Sequence, residues 1–287
     1  SYGLWQRSDF TSLKHRISQL KFSPAIQTKW PLVACFSVFV MAGSVIFYNT
    51  KVLNPYQTSA EKNWVSAEYE KAFGHLKDAP IPMIQQIELE VDLYPKNREV
   101  AIRAEFLVKN KSQKPIDKFL LTLPYYQPEH FEFEVAGGRL LAEQHIYQSY
   151  WFEFDTPFLP GEVRSGSFKL LRSHKGFKDT NFARRDVDIV ENGTFFEGGA
   201  MLPLIGYQPS LQLVDPGVRK EFELPAAERM AKLEDNRYYN QSQMGPDVDF
   251  VDFAATISTS GDQTAISPGS LTKEWQQDGR NYFRYES

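Results

Sequence analysis

Cysteine is almost absent from this sequence, since Cys35 is the only one among its 287 residues. It lies inside the longest apolar stretch, so the chain after residue 50 has no disulfide and no cysteine that could bind zinc or act as a nucleophile. A domain of about 237 residues is large enough to be stable without a disulfide. Cysteine chemistry is therefore excluded from everything that follows the apolar stretch.

The sequence also lacks the short motifs of common catalytic and phosphate-binding sites. It has no H-E-x-x-H zinc motif, no G-x-S-x-G nucleophile turn and no glycine-rich loop followed by Lys-Ser/Thr. No two of its five histidines are three to five residues apart: His15, His75, His130, His145 and His174. We therefore assign no catalytic residue, no metal ligand and no cofactor-binding residue within this chain.

Two pairs of acids recur at the period of a β-strand, Glu132/Glu134 and Asp186/Asp188. Paired carboxylates can act as acid and base in hydrolysis. Acids at a period of two are more often the solvated face of a strand. We interpret both pairs as strand surface.

Acidic residues outnumber basic residues after residue 50. Residues 1–50 carry five Lys/Arg and one acid, a net charge of +4. Since the whole chain carries −4, residues 51–287 carry −8. Phosphate binding needs a basic face, so nucleic acid is excluded as a partner.

The most pronounced feature of the sequence is the uncharged run from Trp30 to Thr50. Its 21 residues would span about 31 Å as a helix, which matches the roughly 30 Å hydrocarbon core of a bilayer. Aromatic residues, Trp30 and Tyr48, lie near its two ends, where they favour the membrane interface. The pattern predicts a transmembrane helix over residues 30–50, with the lipid bilayer as a partner. A buried core helix and a cleaved signal peptide are the alternatives.

The charges flanking this run predict its orientation. The five basic residues of segment 1–29 place that segment in the cytoplasm by the positive-inside rule, and the long remainder outside. Segment 1–29 is either a basic amphipathic helix on the membrane surface or a loop between two membrane spans. The sequence leaves both possibilities open.

A helical linker over residues 51–83 is predicted to follow the membrane helix. Thr58 and Glu61 have the spacing of a capping box, so a helix is expected from Tyr56 to Phe73. Its packing stripe is predicted to be Trp64, Ala67 and Ala72 or Phe73, and its charged residues to stay solvated, including Glu68, Glu70 and Lys71.

The remainder, residues 84–287, has the patterning of a β domain. Apolar residues alternate from Ile87 to Leu93 and from Val100 to Val108 around the turn Pro95–Arg98, which predicts a hairpin. Further short strands are expected at 119–123, 131–135, 139–141, 147–154, 167–171, 250–257 and 282–285. Residues 221–237 are expected to be partly helical. We predict a mainly β fold, an antiparallel sheet or sandwich, whose last sheet is incomplete at the C-terminus.

The order of segments after the span is similar to that of a known group of proteins. The segments are WVSAEYEKAF (64–73), the hairpin sequence 84–116, FLPGE (158–162), ENGTFF (191–196), residues 202–219, residues 253–271 and DGRNYFRYE (278–286). They resemble bacterial membrane proteins that join an ABC-type permease to an aminopeptidase N-like ectodomain of the zinc metallopeptidase family. The resemblance covers most of residues 60–287.

This resemblance implies that residues 84–287 are the amino-terminal, saddle-like β domain of such a protein, in the periplasm of a bacterium, anchored in its inner membrane. Zinc and the catalytic residues would lie in a downstream domain. An ABC ATPase subunit and a peptide substrate are the implied partners. Asn192, Gly193, Thr194 and Phe195 are the nearest equivalents of a family strand that lines the substrate site. Gly199-Ala200-Met201 does not match the family's G-x-M-E-N motif, because Leu202-Pro203 follows it.

Two functions therefore remain open. One is the anchoring β domain of a transporter-coupled, aminopeptidase-like protein. The other is a non-catalytic exterior binding module on a single membrane span.

Overall fold

The computed structural model describes residues 29–54, 58–123, 128–177, 189–196, 202–227, 232, 234–235, 247 and 249–287. Within these residues the chain forms three α-helices: α1 (Lys29–Phe47), α2 (Ser59–Phe73) and α3 (Pro216–Glu221). A π-helical segment, Tyr48–Leu53, extends α1. The predicted cytoplasmic segment lies almost wholly outside the described residues, as do Asp186, Asp188 and Gly199–Met201.

Eleven strands form two sheets in the described part of the chain. The strands are β1 (Met83–Tyr94), β2 (Glu99–Lys109), β3 (Ile116–Thr122), β4 (His130–Val135), β5 (Gly138–Gln144), β6 (Ser149–Phe158), β7 (Val163–Ser173), β8 (Leu204–Ile205), β9 (Asp252–Ser260), β10 (Ser270–Gln277) and β11 (Arg280–Glu286). The seven-stranded sheet has the order β10-β11-β9-β1-β2-β7-β4, and the four-stranded sheet has the order β5-β6-β3-β8. The mainly β fold with two sheets confirms the predicted fold class.

The β1–β2 hairpin occupies the middle of the larger sheet, as its alternating sequence predicts. Every second residue of each strand is buried, from Ile87 to Leu93 and from Val100 to Val108. The chain reverses at Pro95–Asn97, and Arg98 adopts the left-handed conformation with φ 55°. The outward-facing residues of both strands are mostly charged, so only one face of the hairpin can pack against the second sheet.

The two sheets enclose a core that is rich in phenylalanine. Phe119 of the smaller sheet stacks on Phe152 at 5.5 Å and lies 6.4 Å from Phe133 of the larger sheet. Phe133 stacks in turn on Phe106, with ring centroids 5.4 Å apart. Large rings from both layers therefore interdigitate, as they do in a sandwich.

One strand pair differs from the predicted antiparallel arrangement. β9 pairs with β1 in parallel, with Gln86 opposite Asp252 and Asp92 opposite Ser258. Parallel neighbours need a long connection, and about 80 residues separate β7 from β9. The sequence pattern of β9 identifies a strand but contains no information about its direction, which depends on this long connection.

Helix α2 begins with the predicted capping box. Thr58 Oγ1 accepts a hydrogen bond from the Glu61 amide at 3.2 Å, and the Glu61 carboxylate accepts one from the Thr58 amide at 2.6 Å. The predicted packing stripe is wrong at Trp64, whose side chain is 46% exposed. Tyr69 is buried in its place and stacks on Tyr207, with ring centroids 5.4 Å apart.

These aromatic rings form a second, smaller core. Tyr69, Phe73, Leu120 and Tyr207 are all buried in it. Leu120 projects from β3 on the side opposite the main core, so α2 covers the outer face of the four-stranded sheet. The smaller sheet is thus enclosed between the larger sheet and a helix.

A buried ion pair attaches α2 to α3. Arg219 is 3% exposed and donates to both carboxylate oxygens of Glu70, at 2.7 and 2.6 Å. It also donates to the carbonyls of Leu213 and Pro225. Glu70 is therefore not solvated as predicted. Helix α3 begins before the segment predicted to be partly helical, because Asp215 caps it by accepting from the Val218 amide at 2.9 Å. Most of residues 228–237 lies outside the described residues.

We expect Arg219→Met to lower the free energy of unfolding by about 1.5–3 kcal/mol, because it removes the charged hydrogen bonds of the partly buried Glu70 carboxylate. Urea unfolding in detergent, followed by tryptophan fluorescence, measures this change. The matched control is Arg139→Met, whose exposed ion pair with Glu153 contributes at most about 1 kcal/mol. Equal losses in the two variants would contradict a buried attachment at Arg219.

The second core also predicts a loss of stability in alkali. Burial raises the pKa of Tyr69 to about 12 and that of Tyr207 to about 12, against about 10 for an unfolded tyrosine. Between pH 10 and 12 the unfolded state loses these protons while the folded state retains them, so stability falls as the pH rises. Unfolding midpoints measured across this range should decline less steeply in Tyr207→Phe. An unchanged slope in that variant would contradict this assignment.

Candidate functional site

The outer face of the seven-stranded sheet contains a groove of about 610 Å³. Its described lining comes from β1, β2, β4 and β7 and the residues next to them: Gln86, Glu88, Glu105, Phe106, Leu107, Glu134, Val135, Ala136, Ser165, Gly166 and Ser167. The register bulge between Ile84 and Gln86 lies at one end of this groove. The face that the alternation leaves in solvent is therefore concave at this point.

Carboxylates follow one another across the groove because of the strand register. Glu88 lies opposite Glu105, Glu105 lies opposite Ser167, and Ser167 lies opposite Glu134. Arg284 offsets part of this charge by donating to the Glu88 carboxylate at 2.8 Å. Like charges directly opposite each other destabilise a sheet, so the Glu88–Glu105 pair opposes folding.

The acids next to the groove are neutralised more fully. Lys169 donates to Glu132 at 2.9 Å, and this contact lowers the pKa of the Glu132 carboxyl. On the β1–β2 pair, Arg103 bridges Glu90 at 2.9 Å and Asp92 at 3.0 Å. The predicted solvated strand face is thus found at Glu132 and Glu134.

Gly166 is required by the packing beneath the groove. A Cβ atom at this position would lie 2.4 Å from two ring carbons of Phe106, closer than such atoms approach. Glycine lets the ring fill the space where a side chain would be. The groove floor therefore depends on the same phenylalanine that joins the two sheets.

The groove offers hydrogen-bond acceptors on a rigid support. Carboxylate oxygens accept from ammonium, guanidinium and amide N–H groups, and the hydroxyls of Ser165 and Ser167 add both donors and acceptors. This is the chemistry of a binding surface for a cationic or N–H-bearing group.

The structure places the predicted substrate-lining residues on a surface loop. Asn192 and Gly193 are exposed in a turn, and the Thr194 hydroxyl is 3.3 Å from the Val190 amide. Phe195 is 79% exposed. Their role in lining a substrate site remains a prediction.

This loop lies away from the groove. Gln263 donates to the Glu191 carbonyl at 2.6 Å, which places the loop beside the turn after β9. The groove lies at Gln86, which pairs with Asp252 at the start of β9. β9 has nine residues, or about 30 Å. The two candidate surfaces are thus at opposite ends of the sheet.

The described residues contain no group of three His, Cys, Asp or Glu side chains placed to bind a metal ion. His130 lies 2.9 Å from the Glu132 carboxylate and His145 lies 3.6 Å from Glu143, both as exposed pairs on the surface. The zinc that the family resemblance implies does not fit this part of the chain, so zinc chemistry is assigned to none of its residues.

Comparison with known proteins gives structural similarity only. No protein-family model and no curated protein matches the sequence. The fold is similar to that of the M1 zinc metallopeptidase from Deinococcus radiodurans, at 12% identity and a TM-score of 0.44. A mutant M1 zinc metallopeptidase from that organism, bound to a Tyr-Ser-Ala substrate, has 11% identity and the same TM-score.

Both alignments cover 74% of this chain but only 40% of the solved chain. This chain therefore spans less than half the length of the structures it resembles. At this level of similarity the comparison assigns no activity to it.

The groove was not found from the sequence, although part of its signal is present there. The outward positions of β1 and β2 are visibly acidic, but the pairing of Glu88 with Glu105 depends on the hairpin register. The contributions of Ser167 and Glu134 depend on the neighbours of β7, which no local pattern specifies. The groove is therefore a product of strand order.

We expect Glu105→Gln to raise the free energy of unfolding by roughly 0.2–0.5 kcal/mol at low salt, because it removes the charge opposite Glu88. Urea unfolding at two salt concentrations measures the gain, which should shrink at high salt. The matched control is Glu90→Gln, which removes a partner of Arg103 and should lower stability. A loss in Glu105→Gln would contradict repulsion across the groove.

Proposed function

We propose that this chain is the membrane-anchored exterior β domain of a transporter-coupled, aminopeptidase-like protein of a bacterial inner membrane. The observation that supports the anchor is the environment of the apolar helix. Residues Trp30–Leu53 form one apolar helix, and none of its most apolar window is buried. Side chains such as Phe36 and Phe39 are 68% and 75% exposed. A core helix would have its apolar surface covered by protein, whereas a membrane helix is covered by lipid.

A cleaved signal sequence has a similar apolar composition. The extraction experiment below distinguishes a membrane anchor from a cleaved signal.

The distribution of charge supports the orientation of the anchor. The basic segment 1–29 would remain in the cytoplasm, and the acidic part of the chain would lie in the periplasm. The exterior part then carries the two sheets and the groove.

The sequence segments described above support the aminopeptidase-like identity. In this proposal the β domain shapes one side of a peptide-binding site, while polypeptide beyond this chain supplies zinc and the catalytic residues. Asn192–Phe195 would contact the peptide, and an ABC ATPase subunit would associate on the cytoplasmic side.

The acidic groove favours the second candidate, a non-catalytic binding module. It lies within the β domain itself, and its carboxylates would bind a cationic partner without any downstream domain. The two candidates differ in whether the native protein extends beyond this chain and hydrolyses peptides.

The anchor predicts resistance to alkaline carbonate extraction. We expect the protein to stay with floated membranes, and Phe39→Arg/Met41→Asp to release most of it, because each charge costs about 2.5–3.5 kcal/mol at the helix centre. The control Trp64→Arg adds charge outside the span and should remain bound. A soluble product that lacks segment 1–29 together with the apolar helix would indicate a cleaved signal instead.

The size and the peptidase activity of the native protein in these membranes distinguish the two candidate functions. A tag on the native gene should reveal a product well above 33.1 kDa, with aminoacyl-p-nitroanilide hydrolysis that a chelator removes and zinc restores. A product of 33.1 kDa without such hydrolysis would contradict the aminopeptidase-like candidate and leave the binding module.

A further inference from the structure

The C-terminal end of the apolar helix is joined to the β domain by side-chain amides. Asn54 is 7% exposed, and its Nδ2 donates to the carbonyls of Lys175 at 2.8 Å and Phe177 at 3.2 Å. The same nitrogen lies 3.1 Å from the Asn49 carbonyl. These contacts link positions more than 120 residues apart in the sequence. The helix end is therefore bound to the chain that leaves β7.

Asn49 makes a second link one turn earlier. Its Oδ1 accepts from the Phe177 amide at 3.2 Å, while its Nδ2 donates to the Val45 carbonyl at 2.8 Å. Gly176 lies directly against this side chain, with φ +67°, and a Cβ atom there would be 2.0 Å from the Asn49 Oδ1. Only glycine combines this backbone conformation with so close an approach.

The contacts continue from segment 174–177 into the centre of the large sheet. Arg98 Nη1 donates to the Gly176 carbonyl at 2.6 Å, and the His174 amide donates to the Arg98 carbonyl at 2.8 Å. Lys175 forms an exposed ion pair with Glu129 at 2.6 Å. The helix end, segment 174–177 and the β1–β2 turn thus form one connected unit, the helix–sheet joint.

The position of this joint relative to the bilayer follows from the length of the apolar helix. The 19 residues from Trp30 to Tyr48 span about 28 Å, close to the hydrocarbon thickness of about 30 Å. Asn49 therefore falls in the headgroup layer, and segment 174–177 lies there with it. Phe177 is 46% exposed at this level, where an aromatic ring is favoured. Lys51, two residues after Asn49, and Lys96, two residues before Arg98, are exposed, and cationic side chains at this level are attracted to lipid phosphates.

We propose that the helix–sheet joint holds the turn edge of the seven-stranded sheet, with Phe177, in the lipid headgroup layer, so that the β domain rests on the membrane as one rigid body with its anchor. The partner at this edge is a phospholipid surface. This inference depends on the proposed membrane anchor. A freely jointed tether, in contrast, would let the domain move away from the bilayer.

Rigidity is tested by the distance between two spin labels, in a Cys35→Ser chain carrying Ser44→Cys on the helix and Gln113→Cys beyond β2. Pulsed electron spin resonance should give a narrow distribution of the distance between the two labels. Asn49→Ala/Asn54→Ala and, independently, Gly176→Ala should broaden it roughly two-fold, because a loosened joint populates many orientations. The control Asn192→Ala should leave it narrow. Because the joint lies outside both cores, the urea transition of the β domain should persist in every variant. A broad distribution in the otherwise wild-type chain would overturn the joint.

Lipid contact is tested in vesicles of phosphatidylcholine and phosphatidylglycerol with headgroup spin labels that quench fluorescence. A fluorophore at Lys96→Cys should be quenched, whereas one at Gln113→Cys, about 35 Å away along β2, should not be. Equal quenching at the two positions, or none at Lys96→Cys, would overturn the lipid contact. Failure of the chain to float with vesicles would contradict the anchor itself. The label distance, measured in detergent, would still report on the joint in that case.

Discussion

The register of the β1–β2 hairpin is the constraint on which the rest of this structure depends. Pairing Tyr94 with Glu99 places the alternating apolar residues of segments 87–93 and 100–108 on one face, and a slip of one residue would expose them. β9 and β7 then extend the sheet on either side. The same register sets Glu88 against Glu105 in the groove. Pairing of β2 with β7 then brings Arg98 against Gly176 at the joint. Core, groove and joint are therefore all built on this hairpin, although the groove and the joint also need β7 beside it.

Enclosure of the smaller sheet explains where the polar interactions of the fold lie. Its inner face meets the phenylalanine-rich core, and its outer face is covered by α2 through Tyr69 and Phe73. A helix on that face has to bury some polar groups, and Glu70 and Arg219 satisfy each other there. The Tyr69 hydroxyl accepts from the Gln208 amide at 2.9 Å. Because every one of these polar groups has a hydrogen-bond partner, the second core can exclude water without a large desolvation penalty.

The sequence predicts local elements well and long-range arrangement poorly. The hairpin, the capping box at Thr58 and the apolar helix follow from periods of two and 3.6 residues and from side-chain type. Trp64 and Tyr69 lie on different sides of α2, and only the position of Tyr207 decides which of them is buried. The direction of β9 and the partner of Glu70 likewise depend on residues more than 100 positions away. β10 was missed because it is an exposed edge strand, with seven of its eight residues exposed, and has no buried face to impose alternation.

The candidate site shows the same division between local and long-range information. The acids of β1 are evident in the sequence, but a groove requires the neighbouring strands β7 and β4. Similarly, Asn49 and Asn54 are ordinary polar residues after an apolar run, and nothing local indicates that they reach Lys175 and Phe177. The groove and the helix–sheet joint both consist of contacts between distant segments, and the periodicity of a sequence does not predict such contacts.

The groove and the joint occupy opposite ends of the central hairpin, and this separation has a functional consequence. Gln86 lies eight residues before Tyr94, or about 27 Å along β1. A partner in the groove therefore need not touch lipid. A rigid joint prevents rotation of the domain relative to the membrane helix, so the groove keeps one height and one inclination relative to the bilayer. A partner anchored in the same membrane would then meet the acidic surface already oriented, and would lose less rotational freedom on binding than it would with a flexible tether. The joint orients the groove, and the carboxylates attract a cationic partner to it. Both effects therefore favour the same binding event, whether the domain belongs to a peptidase or is a binding module.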